Sequence, residues 1–111
     1  MRSEQRAWHL YVVRCRGGEL YAGIATDVAR RLAEHEDGAR GAKYLRGRGP
    51  LTLVLARSVG ARSDALRVEH AFKKLRKGDK ESLVRDRRGV GRWVRVARRA
   101  ADPAGERVVD S

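Results

Sequence analysis

Residues 8–24 read WHLYVVRCRGGELYAGI. Two runs rich in aromatic and β-branched residues flank a short segment ending in paired glycines. That arrangement predicts a β-hairpin, with strands over 8–14 and 19–24. The length of the connection sets which side chains share a face, because a one-residue slip carries a whole strand's side chains across the sheet. A two-residue turn at Gly17-Gly18 would pair Arg14 with Tyr21 and send Tyr11 and Tyr21 to opposite faces. A three-residue loop, Arg16-Gly17-Gly18, with Gly18 left-handed in a bulged turn, pairs Val13 with Tyr21 and Tyr11 with Gly23. The three-residue loop is the expectation. It puts both phenols on one face, diagonal to each other.

Working outward, Thr26 and Asp27 supply an N-cap and a first-turn acid for a helix over Val28 to His35. At 100° per residue, Val28, Leu32 and His35 fall within about 60° of one another, with Arg31 bordering them. Arg30 points away and reads as a solvated charge. Arg31 and His35 therefore lie along the face that meets the sheet, where an arginine is costly unless it has a partner or a task. Residues 36–50, EDGARGAKYLRGRGP, have no periodicity and interleave glycines with Arg40, Lys43, Arg46 and Arg48. This is either a solvated loop or a basic loop whose cations and N–H groups grip phosphates. Tyr44 within it either stacks on a base or pins the loop.

LTLVLAR, residues 51–57, is the most apolar run and predicts a central strand. Ser63 is expected to cap a helix through about Lys77, with Ala65, Val68, Phe72 and Leu75 inward and Gly78 at its stop. Glu69 sits at the margin of that stripe. The usual fate of such a glutamate is a surface salt bridge, unless the helix packs beside the tyrosine face. Asp79 suits the cap of a short helix through Val84. From Arg85 the composition shifts to RDRRGVGRWVRVARR and then ADPAGERVVDS. This stretch is an edge strand, a helix packed on the domain, or an extension that orders on nucleic acid, with partial order expected near Trp93 and fraying after Asp102.

Length and composition agree with one small α+β domain. The chain has 111 residues, 26 Lys and Arg against 14 Asp and Glu, and a net charge of +12. A field of that sign attracts polyanions and makes binding salt-dependent. Nucleic acid is the expected partner, because no amphipathic helix with large apolar anchors accompanies the charge for a membrane. No stretch reaches the roughly 18 apolar residues of a spanning helix, and MRSEQRAW lacks a secretory apolar region. A lone cysteine, Cys15, cannot staple the fold, so a reducing cytoplasm is expected.

Tyr11, Tyr21-x-Gly23, Arg31, His35 and the helical Glu69 together resemble the GIY-YIG nuclease family. LYAGIATDVARRLAEH, GAKYLRGRGPLTLV and ALRVEHAFKKL resemble its small single-domain bacterial branch, a likeness covering roughly residues 8–84. His9, Leu10 and Ala22 replace the name-giving Gly, Ile and Ile, which are backbone and packing positions. The resemblance implies a three-stranded antiparallel sheet flanked by helices, a nuclease-like domain over 1–84; the basic C-terminal extension over 85–111, expected to be partly ordered, is read from the composition shift alone. The resemblance also implies an endonuclease that hydrolyses phosphodiesters with one divalent metal ion, Mg²⁺ or Mn²⁺.

In that chemistry an attacking water loses a proton, the pentavalent phosphorus has its charge offset, and the leaving oxygen is stabilised. By the resemblance, Tyr11 is the general base and Tyr21 positions water or phosphate. Arg31 holds the scissile phosphate, for which its fork of donors is well shaped. Glu69 is the sole carboxylate ligand, so the ion binds weakly without substrate. His35 either relays a proton, binds phosphate or is a satisfied histidine beneath the helix. A phenol of pKa about 10 is ionised only about one part in a thousand at neutral pH, so Tyr11 needs positive charge nearby. Gly23 is expected to leave room for the nucleic-acid backbone, with Arg40, Lys43, Arg46 and Arg48 binding phosphates and Tyr44 among them as a further nucleic-acid contact. DNA is favoured over RNA, with recognition by structure or phosphate rather than sequence. The alternatives are a nucleic-acid-binding module with little or no cleavage, acting with a partner protein, and a basic scaffold for other acidic partners.

Overall fold

The structure is a computed structural model and describes residues 6–37, 45 and 47–99. Strands β1 (Trp8–Arg14) and β2 (Leu20–Ala25) form the hairpin. Tyr11 pairs with Gly23 and Val13 with Tyr21, as the three-residue loop requires. The turn is closed by the Gly18 amide donating to the Cys15 carbonyl at 2.9 Å. Gly18 has φ +98°, a conformation L side chains rarely adopt. Next come α1 (Val28–Asp37), β3 (Thr52–Gly60), α2 (Arg62–Lys73), α3 (Lys77–Arg85) and α4 (Arg87–Arg99). The three strands make one antiparallel sheet in the order β2-β1-β3. This α+β architecture is the expected one.

The central strand is β1, whereas LTLVLAR, expected at the centre, lies from Thr52 onward in β3, on an edge. Leu10, Tyr11, Val12 and Val13 are buried in succession, which requires cover on both faces of β1. In β3, Leu53 is 41% exposed. An apolar run shows that a segment is extended, but not how many neighbours it has.

Alternation along β1 splits the interior into two layers. Leu10 and Val12 pack with Val59, Val68, Phe72, Val90 and Val94, beneath α2 and α4. Tyr11 and Val13 face the other way, with Cys15, Ala25, Leu45 and Leu51, and with Val28, Leu32 and Tyr21 packed alongside. Asp27 caps α1, its Oδ1 accepting the Arg30 amide at 3.1 Å.

Helix α2 departs from expectation at both ends. Its N-cap is Ala61, which makes no side-chain cap bond, and Ser63 lies inside the first turn. The helix stops at Lys73, and an extended Arg76 (ψ 157°) starts α3, so Gly78 and Asp79 fall inside α3 rather than ending one helix and capping the next. Leu75 still packs on the core from the connecting turn. The inward stripe thus outlasts the helix, which is why periodicity alone overran it. Asp86 caps α4 through the Gly89 amide at 2.9 Å. Val90, Val94 and Ala97 of α4 are buried in the α2 layer, and Arg98 lies 3.4 Å from Asp64 of α2. Over Arg87–Arg99 the chain takes the packed helix, and the core continues through α4, while the fraying expected after Asp102 lies outside the described residues.

Candidate active site

The register of the hairpin builds the site. Tyr11 sits on the central strand directly opposite Gly23, and its phenol occupies the space where a side chain at 23 would lie. A Cβ on Gly23 would come 2.5 Å from the Tyr11 hydroxyl and 2.7 Å from its ring carbon Cζ. That corrects the expectation that Gly23 makes room for the nucleic-acid backbone: it makes room for Tyr11.

Tyr11 is 2% exposed and its Oη lies 2.7 Å from Nε2 of His35, which is 3% exposed. The periodicity of α1 delivers His35 there, on the stripe with Val28 and Leu32. Burial, followed by the neighbouring Tyr21, pushes the Tyr11 pKa up to about 12; the charge of Arg31 opposes this without overcoming it. The positive charge sought for Tyr11 is therefore present but outweighed by desolvation. Burial also moves the His35 pKa down, assisted by the charge of Arg31. The buried pair is a protonated phenol against a neutral imidazole.

Arg31 borders this pair. Its Nη1 donates to Glu34 Oε1 at 2.9 Å, one turn along α1, and that bond is the main cause of its raised pKa. An arginine at the inward margin thus has a carboxylate partner, a pairing visible in the i,i+3 spacing of Arg31 and Glu34.

Tyr21 is reached from both helical layers, because β2 is an edge strand that α1 and α2 flank on opposite faces. The His35 ring meets the Tyr21 ring edge-on, with centroids 5.9 Å apart. From α2, Lys73 Nζ lies 6.0 Å from the Tyr21 centroid and 3.2 Å from Glu69 Oε2. The Glu69 carboxylate is 18% exposed and close enough to contribute to the rise in the Tyr11 pKa. So α2 does pack beside the tyrosines, and Glu69 makes its ion pair at their edge. A cleft of about 210 Å³ lined by Leu20, Tyr21, Ala22, Phe72, Lys73 and Lys80 opens there. Lys73 was not singled out from the sequence, although its i,i+4 spacing from Glu69 was a usable signal.

Among the described residues, no three His, Cys, Asp or Glu side chains cluster as a metal cage. A single, largely buried carboxylate beside two phenols fits a hard cation that keeps most of its shell for water and phosphate. Of the basic loop, Arg40, Lys43, Tyr44 and Arg46 lie outside the described residues. Arg48 is described: its guanidinium is 3.4 Å from Glu19, and its carbonyl accepts the Arg16 amide at 2.8 Å, tying the loop's end to the hairpin turn. No described helix is long and apolar enough to cross a membrane.

A glycine-backed tyrosine paired to a helical histidine thus lies at the centre of the domain, with a second tyrosine, an arginine and an acid around it. Residues 7–82 match the GIY-YIG catalytic domain, and the chain belongs to the GIY-YIG nuclease family. Within that family it is similar to UPF0213 proteins of bacteria. It is 56% identical over 77 residues to one from Cronobacter sakazakii, covering 69% of this chain and 80% of the relative. It is 57% identical over 79 residues to another from Yersinia pestis, covering 71% and 82%. It also resembles the solution NMR structure of a protein from E. faecalis, at 35% identity and a TM-score of 0.50, over 74% of this chain and 88% of that one. GIY-YIG nucleases generally use divalent metals.

Proposed function

We propose that the chain is a divalent-metal-dependent endonuclease that hydrolyses phosphodiester bonds in DNA, directed by structure or phosphate rather than sequence. The observation that carries this reading is the buried Tyr11–His35 pair, 2.7 Å between Oη and Nε2, set against Tyr21 and Arg31. A core has no need of a phenol bonded to an imidazole there. General base catalysis has.

The phenol's high pKa rules out a standing phenolate at neutral pH, so its proton must leave as it accepts another. With the imidazole proton on Nδ1, the Tyr11 hydroxyl donates to Nε2 of neutral His35. As the attacking water gives a proton to the Tyr11 oxygen, the phenolic proton passes to His35. The hydroxide oxygen forms the new bond to phosphorus, the bond to the leaving oxygen breaks, and solvent supplies that oxygen's proton. Arg31, held by Glu34, is placed to offset charge on the phosphate oxygens. Tyr21, wedged between His35 and Lys73, orients water or phosphate at the edge of the sheet. Glu69 would hold the Mg²⁺ or Mn²⁺ ion, which when bound offsets phosphate and leaving-group charge. Lys73, 3.2 Å from Glu69, balances its carboxylate charge. A lone cysteine and a reducing cytoplasm suit such an enzyme.

The test uses labelled single-stranded, duplex, nicked and branched substrates with Mn²⁺, Mg²⁺ or EDTA. Glu69→Ala and Tyr11→Phe should each abolish cleavage while leaving binding intact. If both variants cut at the wild-type rate, these residues are not the machinery.

A further inference from the structure

Helix α4 lies beyond the residues matched to the catalytic domain, which end at 82. Its inner face is occupied: Val90, Val94 and Ala97 are buried against α2 and the sheet, and Arg98 is turned to Asp64 at 3.4 Å. Its outer face carries Arg88, Arg92, Arg95 and Arg99, all exposed. At 100° per residue these four fall within about 60°. At 1.5 Å per residue they form a row about 16 Å long. None of the four guanidiniums has a hydrogen bond or ion pair with a described residue. Among the described residues, Asp86 caps the helix, and Asp64 holds Arg67 and Arg98.

Like charges at i,i+4 destabilise a helix. A row of four has an energetic reason to recruit an external polyanion. Inserting into a membrane needs an apolar face, but that of α4 is spent on the core, and of its outer residues Val96 (65% exposed) is the large apolar one. Duplex nucleic acid instead presents about one charge per 1.7 Å along its axis, and guanidinium forks match phosphate oxygens.

The geometry points to the Arg88–Arg92–Arg95–Arg99 row as a second nucleic-acid surface that anchors duplex phosphates away from the scissile one. The row is on the outer side of α4, whose Val90 and Val94 pack on the face of β1 opposite to Tyr11, so it faces away from the Tyr11–His35 pair. The inference rests on the proposed nucleic-acid substrate but not on cleavage.

The test measures binding of the full chain to a labelled DNA duplex in EDTA across a salt series, so no cutting is needed. Changing all four arginines to Gln should lower the slope of log affinity against log salt by about 0.9 for each phosphate no longer neutralised, up to about 3.6. Arg92→Gln with Arg95→Gln, a milder pair, should lower it by about 1.8, with an unchanged circular dichroism spectrum. A charge-matched variant at Arg30, Lys74, Arg76 and Arg85 should lower it less. An unaltered slope, or an equal drop in the charge-matched variant, overturns the proposal. So does an equal loss of binding to phosphatidylserine vesicles or polyglutamate, which would make the row a generic polyanion patch. Absence of cleavage by the wild type together with a lowered slope in the row variants would sink the nuclease reading and leave this one standing.

Discussion

Substituting Gly23 by alanine tests whether the Tyr11–His35 geometry runs the site. The new methyl would stand 2.5 Å from the Tyr11 hydroxyl, 2.7 Å from Cζ and 3.0 Å from Cε2. Non-bonded carbons settle near 3.5–4.0 Å, so the ring must retreat by about 1 Å. Tyr11 is packed within its layer, so the ring pivots and does not slide into open space. Its 2.7 Å bond to His35 would then open towards about 3.7 Å, outside hydrogen-bonding range. Losing the bond costs about 1 kcal/mol of stability, and the overpacking adds about 1–3 kcal/mol. The larger effect falls on rate, because a displacement of about 1 Å at a reacting group costs about 100-fold. Single-turnover cleavage at saturating protein, beside a thermal melt, reads both quantities. A folded Gly23→Ala protein that cuts at the wild-type rate refutes the proposed role of the pair.

Alkaline titration of tyrosine absorbance should show one phenol ionising near 12. Because that value lies above the ordinary 10, the stability carried by the protonated phenol is whole below pH 10 and is lost as pH rises through 12; the loss is about 2–3 kcal/mol, readable by denaturant melts. His35 has the opposite sense: its folded pKa is depressed, so its share of stability is present above 6.5 and disappears as pH falls through the folded value. The acid limb of cleavage should accordingly lie below pH 6.5, where His35 can no longer accept the Tyr11 proton, and a limb above 6.5 would contradict the relay. Val94→Ala should cost about 1–3 kcal/mol in a denaturant melt, as expected if α4 completes the core, and a neutral result would place α4 outside it.

Much of the site was legible because its parts are local. The glycine pair and the lengths of the two runs set the hairpin's parity, and parity puts Tyr11 and Tyr21 on one face. The spacing from Val28 to His35 places the imidazole inward by helical geometry alone. The ends of α2 were not legible, since the apolar stripe runs on through Leu75 after the helix has stopped at Lys73. Nor was the edge position of β3, because strand order is a matter of long-range pairing that no local pattern encodes. Gly23 shows the same limit. Its need for space was plain, but what fills that space depends on the partner strand.

Pattern and composition alone establish a small basic α+β chain with two tyrosines, an arginine and a histidine placed by hairpin parity and helical spacing, because periodicity and charge are properties of the chain itself. The protonation of those residues was decided by tertiary packing. Burial holds the phenol protonated and the imidazole neutral, and depth from solvent exists only once the layers have closed. Packing likewise turned the outer arginines of α4 into a row, by committing its apolar side to the core and leaving the charges facing out.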